Sequence, residues 1–337
     1  MVSLVPFEPA VLPQLVAFWN GVFRTRRNFY PISEKLYQKR IVEQRAFDPQ
    51  GLILALADEA VVGLVHAIKP APQDIFIYGR RRCRDNGSIA VLAVAPDCRG
   101  NGIGSDLLSR AESYLEGHLA PGKVIYVGDY DVPLYHTLEG PRQPFWGDTE
   151  IMGVSENDGQ LIEFLTASGY HLVKREGQEI TMVAKLGKRS EPPRPPVEKL
   201  GLREVAVSAD QPWPGRIAWY PEGTPQGYAH PLFGEYRHQV IALARGDTIT
   251  SHLEWYPMQQ AGHVALLDYQ VAQTDRGQRL GSYLLDRSLW AMEQEGHHTV
   301  ELHTSTVKNA LAYGMYLRRG FEVVEKRVVL VKKGDRR

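Results

Sequence analysis

The feature that most constrains this chain is an internal duplication. The stretch "APDCRGNGIGSDLL", residues 95–108, returns as "AQTDRGQRLGSYLL", residues 272–285. Each follows an apolar run of strand character, "SIAVLAV" or "HVALLDYQV", and precedes a helical pattern. Leu107, Leu108, Ala111 and Leu115 form one apolar face after the first loop; Leu284, Leu285, Leu289 and Met292 form one after the second. The repeat runs on. "SGYHLVKREGQEITMVAKL", 168–186, parallels "RGFEVVEKRVVLVKK", 319–333, each a Gly-aromatic step into strand, turn and strand. Arg99 to Gly169 spans 70 residues and Arg276 to Gly320 spans 44, which gives the first copy 26 extra residues, assigned to 130–156. Self-similarity on this scale predicts two similar domains, as does a length of 337 residues.

The boundary falls at "KRSEPPRPPVEK", 188–199, whose four prolines can continue neither a helix nor a central strand. It reads as a semi-rigid linker between domains 1–187 and 200–337. The first domain opens with a strand near Ser3–Phe7 and a helix facing Leu12, Leu15, Val16 and Trp19 inward. "SEKLYQKRIVEQRAF" reads as a second amphipathic helix with Ser33 as N-cap. A hairpin turning at Asp58–Glu59 and an Arg-rich loop, Arg80 to Arg84, come next. The second domain begins with residues 208–238, rich in Pro, Gly, Trp and Tyr, then a hairpin turning at Gly246–Asp247.

Lys+Arg and Asp+Glu both number 39, so no global charge draws the chain to nucleic acid or to an anionic membrane. The two cysteines, Cys83 and Cys98, do not form a disulfide framework. The start "MVSLVPFEPAVLPQ" lacks a signal peptide's basic and apolar regions, and no apolar run reaches the roughly 20 residues of a membrane span. These features lead us to expect a cytoplasmic protein with no membrane or nucleic-acid partner. His297–His298 has no partner at ligand spacing, so no metal is expected.

A loop between strand and helix presents free backbone N–H groups and the positive end of a helix dipole, and its glycines let a ligand approach the backbone. That suits a phosphate or pyrophosphate. Three such loops compete. A Walker loop ends in Gly-Lys-Ser/Thr, and Gly104-Ser105-Asp106 has no lysine. A dinucleotide fingerprint requires G-x-G-x-x-G in a repeated βαβ frame, whereas hairpins precede both loops here. The third is R/Q-x-x-G-x-G/A. Arg99-Gly100-Asn101-Gly102-Ile103-Gly104 fits it at every defined position, and "LAVAPDC" supplies a matching strand end. In these residues the chain resembles the GNAT superfamily of N-acetyltransferases. The second copy, Arg276-Gly277-Gln278-Arg279-Leu280-Gly281, has arginine at the first defined glycine. That arginine could add charge against a phosphate.

A second family segment resembles N-x-x-A-x-x-L-Y-x-x-x-G-F. The second half has "NALAYGMYLRRGF", with Asn309, Ala312, Met315, Tyr316, Gly320 and Phe321, 33 residues after Arg276. The first half has "NDGQLIEFLTASGY", which places Leu165 at the tyrosine position. The resemblance covers nearly all of the chain and is specific around 88–108, 157–170 and 264–321. It implies an α/β fold with mixed sheets in two tandem GNAT-like domains, an arrangement similar to mycothiol synthase and other two-domain members.

The resemblance also implies acetyl-CoA as co-substrate and an acceptor amine that attacks its thioester. The implied CoA-binding positions are Leu92, Val94, Arg99, Gly100, Asn101, Gly102, Gly104 and Ser105 in the first half. In the second they are Tyr269, Val271, Arg276, Gly277, Arg279, Gly281, Ser282 and Asn309. Tyr316 is the implied acid for the leaving thiolate, and Glu301 is taken as the base from the set Asp268, Glu301 and His303. The first two helices of the fold usually wall the acceptor site; the segment with Trp213, Trp219, Tyr220 and Tyr228 could serve in the second half, and 130–148 could form a lid. The expected activity is acetyl transfer to a primary amine of a small molecule, with the second half as the catalytic one and a monomer or homodimer as the assembly. A CoA-binding tandem module without turnover, and transfer to peptide or protein amines, stand as the alternatives.

Overall fold

The computed structural model describes residues 2–44, 46–70, 76–77, 80–81, 86–128, 135, 153–173, 179–187, 193, 198–208, 216–218 and 239–333. Most of the proline-rich linker, the aromatic stretch with Trp213, Trp219, Tyr220 and Tyr228, Cys83, and 130–148 apart from Tyr135 lie outside the described residues. In chain order the main elements are β1 (Val2–Pro6), α1 (Leu12–Val22), α2 (Glu34–Tyr37), β2 (Leu52–Ala57), β3 (Ala60–Ile68), β4 (Gly87–Val94), α3 (Ile103–Glu116), β5 (Val124–Val127), α4 (Gly159–Ala167) and β6 (Glu179–Lys185). Then come β7 (Arg203–Ser208), β8 (Gln239–Arg245), β9 (Thr248–Pro257), β10 (His263–Val271), α5 (Leu280–Gln294), β11 (Thr299–Ser305), α6 (Ala310–Leu317), β12 (Glu322–Val328) and β13 (Leu330–Lys333). The chain forms two compact units. Of the described residues, unit 1 holds those up to Val173 together with 327–333, and unit 2 holds 179–326.

The sheet of unit 1 runs β1-β2-β3-β4-β5-β13, with the short strand His171–Leu172 beyond. Only β4 and β5 are parallel neighbours. The β2–β3 hairpin turns at Asp58 and Glu59, whose φ values of 47° and 65° are the left-handed pair of a tight two-residue turn. One face of the sheet packs Ile53, Val65, Ile89, Ile125 and Leu330 against Leu107, Leu108, Ala111 and Leu115 of α3 and Leu165 of α4. The other packs Leu52, Leu54, Leu64, Ile68 and Val91 against Leu15, Val16 and Trp19 of α1, and Tyr37 and Ile41. The second helix is shorter than its apolar pattern predicts. Ser33 Oγ caps it, accepting from Leu36 N at 3.1 Å, but regular turns stop at Tyr37. A wider turn follows, in which Glu43 N donates to Gln38 O at 2.9 Å. Tyr37 and Ile41 stay buried on one side, so the stripe survives the change of pitch.

This second face is sealed at its centre. The Tyr135 ring stacks parallel to Trp19, 6.2 Å between centroids, and its hydroxyl lies 2.8 Å from His66 Nδ1. Burial drives the His66 imidazole down to about 3, so it is neutral in the folded protein at neutral pH.

The sheet of unit 2 runs β7-β8-β9-β10-β11-β6-β12, and the β8–β9 hairpin turns at Gly246–Asp247. β10 and β11 are parallel neighbours, matching β4 and β5, and the short strand Arg216–Ile217 also runs parallel to β9. Leu284, Leu285, Leu289 and Met292 of α5 pack on Leu253, Trp255, Leu266, Val300 and Leu302.

Each sheet is completed by a strand from the distant half of the chain. β6 pairs with β11 over seven residues, from Glu179↔Ser305 to Lys185↔Thr299. β13 pairs with β5 from Leu330↔Val127 to Lys333↔Val124. The linker at 188–199 separates these copies by sequence; the sheets count Glu179–Lys185 with unit 2 and Leu330–Lys333 with unit 1. Both segments close the repeated Gly-aromatic, strand, turn, strand pattern of their own half, so the local sequence does not mark which sheet each one joins.

Two outcomes follow for unit 1. Leu330 is fully buried in its core, so Leu330→Ala is expected to remove about 2–5 kcal/mol from unit 1. Hydrogen exchange should show this as loss of protection in β2, β3 and β4 while β8, β9 and β10 keep theirs. His66 binds a proton in the unfolded chain below about 6.5 but not in the fold until about 3. Its contribution is therefore present above the unfolded value and is lost as pH falls between the two, by at most about 1.4 kcal/mol per pH unit. Urea unfolding at pH 7.5 and 4.5 should show a smaller pH-linked loss for His66→Gln than for the wild type.

Candidate active site

In each unit the parallel strand pair opens at a β-bulge. β3 and β4 pair His66 with Val91 and then Ala67 with Ile89, which leaves Ala90 extra. β9 and β10 pair Glu254 with Asp268 and then Trp255 with Leu266, which leaves Leu267 extra. A bulge bends its strand and strengthens the local twist. Parallel pairing ends at the residue before each bulge, with Ile89↔Val127 in unit 1 and Leu266↔Leu302 in unit 2. Beyond it the strands part, and a gap opens between them. Leu92 and Val94 in unit 1, and Tyr269 and Val271 in unit 2, lie on the opened stretch with side chains packed toward the helix that follows.

The repeated loop closes the end of each gap. Gly100 and Gly102 hold φ of 78° and 82°, and a Cβ on either would meet nothing within 4 Å. In unit 2, Gly277 holds 82° with the same open space, and Arg279 takes φ 62°, the left-handed position held by Gly102 in unit 1. The arginine that departs from the family pattern thus keeps the glycine's backbone, against a strain of about 1–3 kcal/mol. The arginine before each loop is braced identically: Arg99 Nε donates to Val94 O and Arg276 Nε to Val271 O, both at 3.1 Å. Asn101 Nδ2 donates to Cys98 O at 3.3 Å, and Ser105 is exposed in the first turn of α3. The first-turn N–H groups of α3 and α5 have no partners within their helices, and they face an exposed, Cβ-free cradle. The residues present therefore fit a pyrophosphate at the loop and an extended pantetheine arm along the gap.

On the helix side of the gap in unit 2, Tyr316 of α6 is buried beside Tyr269 and Phe321, with ring centroids 6.4 and 5.4 Å away. Burial first, then Tyr269 and the Asp268 charge, hold its phenol far above the ordinary tyrosine value. It stays protonated at neutral pH and can act as a donor only. The equivalent Leu165 of unit 1 is fully buried and has no such group. The Tyr269 hydroxyl lies so near Gly281 that a Cβ there would fall 2.4 Å from it. Arg319 ties this corner together, with a bidentate pair to Asp286 at 2.6 and 2.7 Å and bonds to Met315 O and Ser282 O. Ser282 Oγ lies 3.5 Å from Met315 Sδ. Asn309 precedes α6, and its Nδ2 donates to Thr304 Oγ1 at 3.3 Å.

The opposite face of the sheet distinguishes the units. Counted from the bulges, His252, Glu254 and Asp268 of unit 2 stand where unit 1 has Leu64, His66 and Val91. Glu301 and His303 stand where unit 1 has Tyr126 and Gly128. Unit 1 thus has a largely apolar face, with the neutral His66 at its centre, sealed by α1, Tyr37, Ile41 and Tyr135; unit 2 carries carboxylates and two further imidazoles there. His252 Nε2 stands 3.3 Å from Asp268 Oδ2, and His303 Nε2 4.0 Å from Glu179 Oε2. His252 and Glu254 were not singled out in the sequence reading, although Thr250, His252 and Glu254 alternate along one strand. Among the described residues no group of three His, Cys, Asp or Glu could hold a metal ion, and no helix is long and apolar enough to cross a membrane.

The acetyltransferase (GNAT) family matches residues 19–140 and again residues 199–321. Over 141 residues the chain is 30% identical to the mycothiol acetyltransferase of Streptomyces griseus subsp. griseus, a match spanning 37% of this chain and 42% of that relative. A solved tandem GNAT protein from the clavulanic acid biosynthesis pathway superposes with a TM-score of 0.69 at 16% identity over 99% of both chains. A GCN5-related N-acetyltransferase from Sphaerobacter thermophilus does so with 0.59 at 15% identity, over 98% of this chain and 95% of its own. At such identities the likeness shows the fold, and the loops, the bulged strands and the doubled family match agree with it. The chain belongs to the GNAT acetyltransferase family and carries that family's domain twice.

Proposed function

We propose that unit 2 transfers an acetyl group from acetyl-CoA to a primary amine of a small molecule, and that unit 1 binds CoA without transfer. The observation that carries this reading is the contrast between the two gaps. Both have a loop and parted strands, but only unit 2 has a tyrosine, Tyr316, where unit 1 has Leu165, and carboxylates at Glu254, Asp268 and Glu301 where unit 1 has His66, Val91 and Tyr126.

Acetyl-CoA supplies an activated thioester carbonyl. The residues of unit 2 then have distinct tasks. Arg276, Gly277, Arg279, Gly281 and Ser282 hold the pyrophosphate at the start of α5, the backbone of Tyr269 and Val271 aligns the pantetheine arm, and Asn309 borders it at the start of α6. As the amine nitrogen bonds to the carbonyl carbon, the C–S bond breaks. The nitrogen loses a proton to the polar face, where Glu301, His303 and Asp268 lie, and Tyr316 Oη protonates the departing sulfur. Alignment in the gap supplies much of the acceleration. In unit 1, Leu92, Val94, Arg99, Gly100, Asn101, Gly102, Gly104 and Ser105 form the same cradle, with Leu165 at the Tyr316 position and Val91 at the Asp268 position.

Tyr316→Phe is expected to lower kcat about 100-fold and leave KM for acetyl-CoA unchanged, measured as CoA release with benzylamine, putrescine, glucosamine or glycinamide as acceptor. An unimpaired variant across pH removes Tyr316 from the chemistry. If the wild type releases no CoA with any of these or with peptide amines, the binding-module reading takes over. Arg279→Gly is expected to act in two directions. It relieves the left-handed strain and raises Tm, yet weakens acetyl-CoA binding about 3–10-fold by removing a phosphate-facing charge. Calorimetry on the same sample reads both.

A further inference from the structure

We propose that Asp268 is the proton acceptor in unit 2 and that His252 is the residue that positions it. The inference rests on unit 2 being the transferring unit, and it selects among the acids of the polar face by their place along the gap. Glu301 lies opposite Ala265, where β10 and β11 are still paired, and its other neighbour is Val183 of β6. It is 2% exposed. Asp268 follows the bulge at Leu267 and belongs to the opened stretch, with 18% of its side chain exposed. It is therefore the carboxylate that an acceptor entering the gap can reach.

Its orientation is fixed from two sides. Tyr269 N donates to Oδ1 at 2.8 Å. Oδ2 stands 3.3 Å from His252 Nε2, and Gln270 Nε2 approaches it at 3.4 Å. His252 is fully buried on β9, so it can act on an acceptor only through Asp268. The groups nearest Asp268 are His252 and Glu254 of β9 and Gln270 of its own strand; Glu301 and His303 share its sheet face on β11, and the Asp268 charge acts on Tyr316 of α6 across the gap. Glu254 is its direct cross-strand neighbour, and like charges so placed oppose sheet pairing.

Unit 1 supplies the comparison. There Asp268 is replaced by Val91, His252 by Leu64 and Tyr316 by Leu165, so acceptor, positioner and acid are lost together while loop and gap persist. In the step itself the amine nitrogen gives one proton to Asp268 as it bonds to the acyl carbon. The C–S electron pair passes to sulfur, which takes the Tyr316 proton. Asp268 releases its proton to water and Tyr316 regains one, which balances amine and thioester against amide and thiol.

The test uses the full chain, acetyl-CoA and the fastest acceptor among benzylamine, putrescine, glucosamine and glycinamide. Asp268→Asn should lower kcat at least about 100-fold, with the KM for acetyl-CoA, which reports on the transferring unit alone, within about 3-fold of wild type as proof of a folded gap. His252→Leu, which copies unit 1, should lower kcat about 30-fold and move the acid limb of the pH profile. His252→Gln keeps a donor and should restore most of the rate and the wild-type limb. If Asp268→Asn is within about 3-fold of wild type while Glu301→Gln loses about 100-fold, Glu301 is the base and the proposal is overturned. If neither variant loses rate, solvent takes the proton and the proposal is equally overturned. If the wild type acetylates none of the acceptors, the reading of unit 2 fails and this assignment falls with it.

Discussion

One extra residue in one strand governs each half of this protein. Ala90 and Leu267 end the parallel pairing of β4 with β5 and of β10 with β11. Without the bulge the strands would stay joined, their backbone groups would satisfy one another, and no slot would exist. With it, the N–H and C=O groups beyond Ile89 and Leu266 turn to a gap and need a partner. The gap is kept open by apolar packing on its helix side. Leu92 and Val94 rest toward α3, and Tyr269 and Val271 toward α5, so closing the strands would uncover apolar surface. The loop follows ten residues after the last paired position in both units, at Arg99 and at Arg276. It therefore meets the gap at the same height.

The far wall of each gap depends on a strand from elsewhere in the chain. β5 is held by β13, the last strand, and β11 by β6, which precedes the linker. Neither wall forms from its own half of the sequence. Each gap therefore couples residues far apart in the chain, and loop closure over that distance makes these the late, non-local contacts of the fold.

Much of this was legible in the residues. The loops, their strand-to-helix setting, the hairpins at Asp58–Glu59 and Gly246–Asp247, and the apolar stripes of α3 and α5 follow from local pattern. The strand exchange does not, because local pattern is blind to which edge accepts which strand. The bulges hide for a similar reason: an extra residue such as Leu267 looks like ordinary strand until a partner's register exposes it. The polar face was half visible. Asp268, Glu301 and His303 stand out as candidate bases, whereas His252 and Glu254 lie in the hairpin after Gly246–Asp247 with no motif to mark them. Only the register, which sets Glu254 opposite Asp268 with His252 within 3.3 Å, gathers them into one place.

The two copies show what a shared backbone fixes and what it leaves free. Bulge, gap and loop are properties of the main chain, and both units keep them. The sheet face opposite the long helix is set by side chains alone, and there the units part. In unit 1, Leu64 and Val91 are buried under α1, and each such burial stabilises by about 1.5–3 kcal/mol. Unit 2 forgoes that gain at the same positions for His252 and Asp268, and adds the repulsion of Glu254 against Asp268. A face that lowers stability at several aligned positions is what a site for proton transfer requires, since its groups must remain polar and reachable. Unit 1 has a core at those positions, and its loop glycines Gly100 and Gly102 hold left-handed angles with open space where a Cβ would stand. Apolar replacement of the face at Leu64 and Val91 leaves the loop and the gap unchanged, so the main chain of this duplicated fold is independent of the side chains on the sheet face.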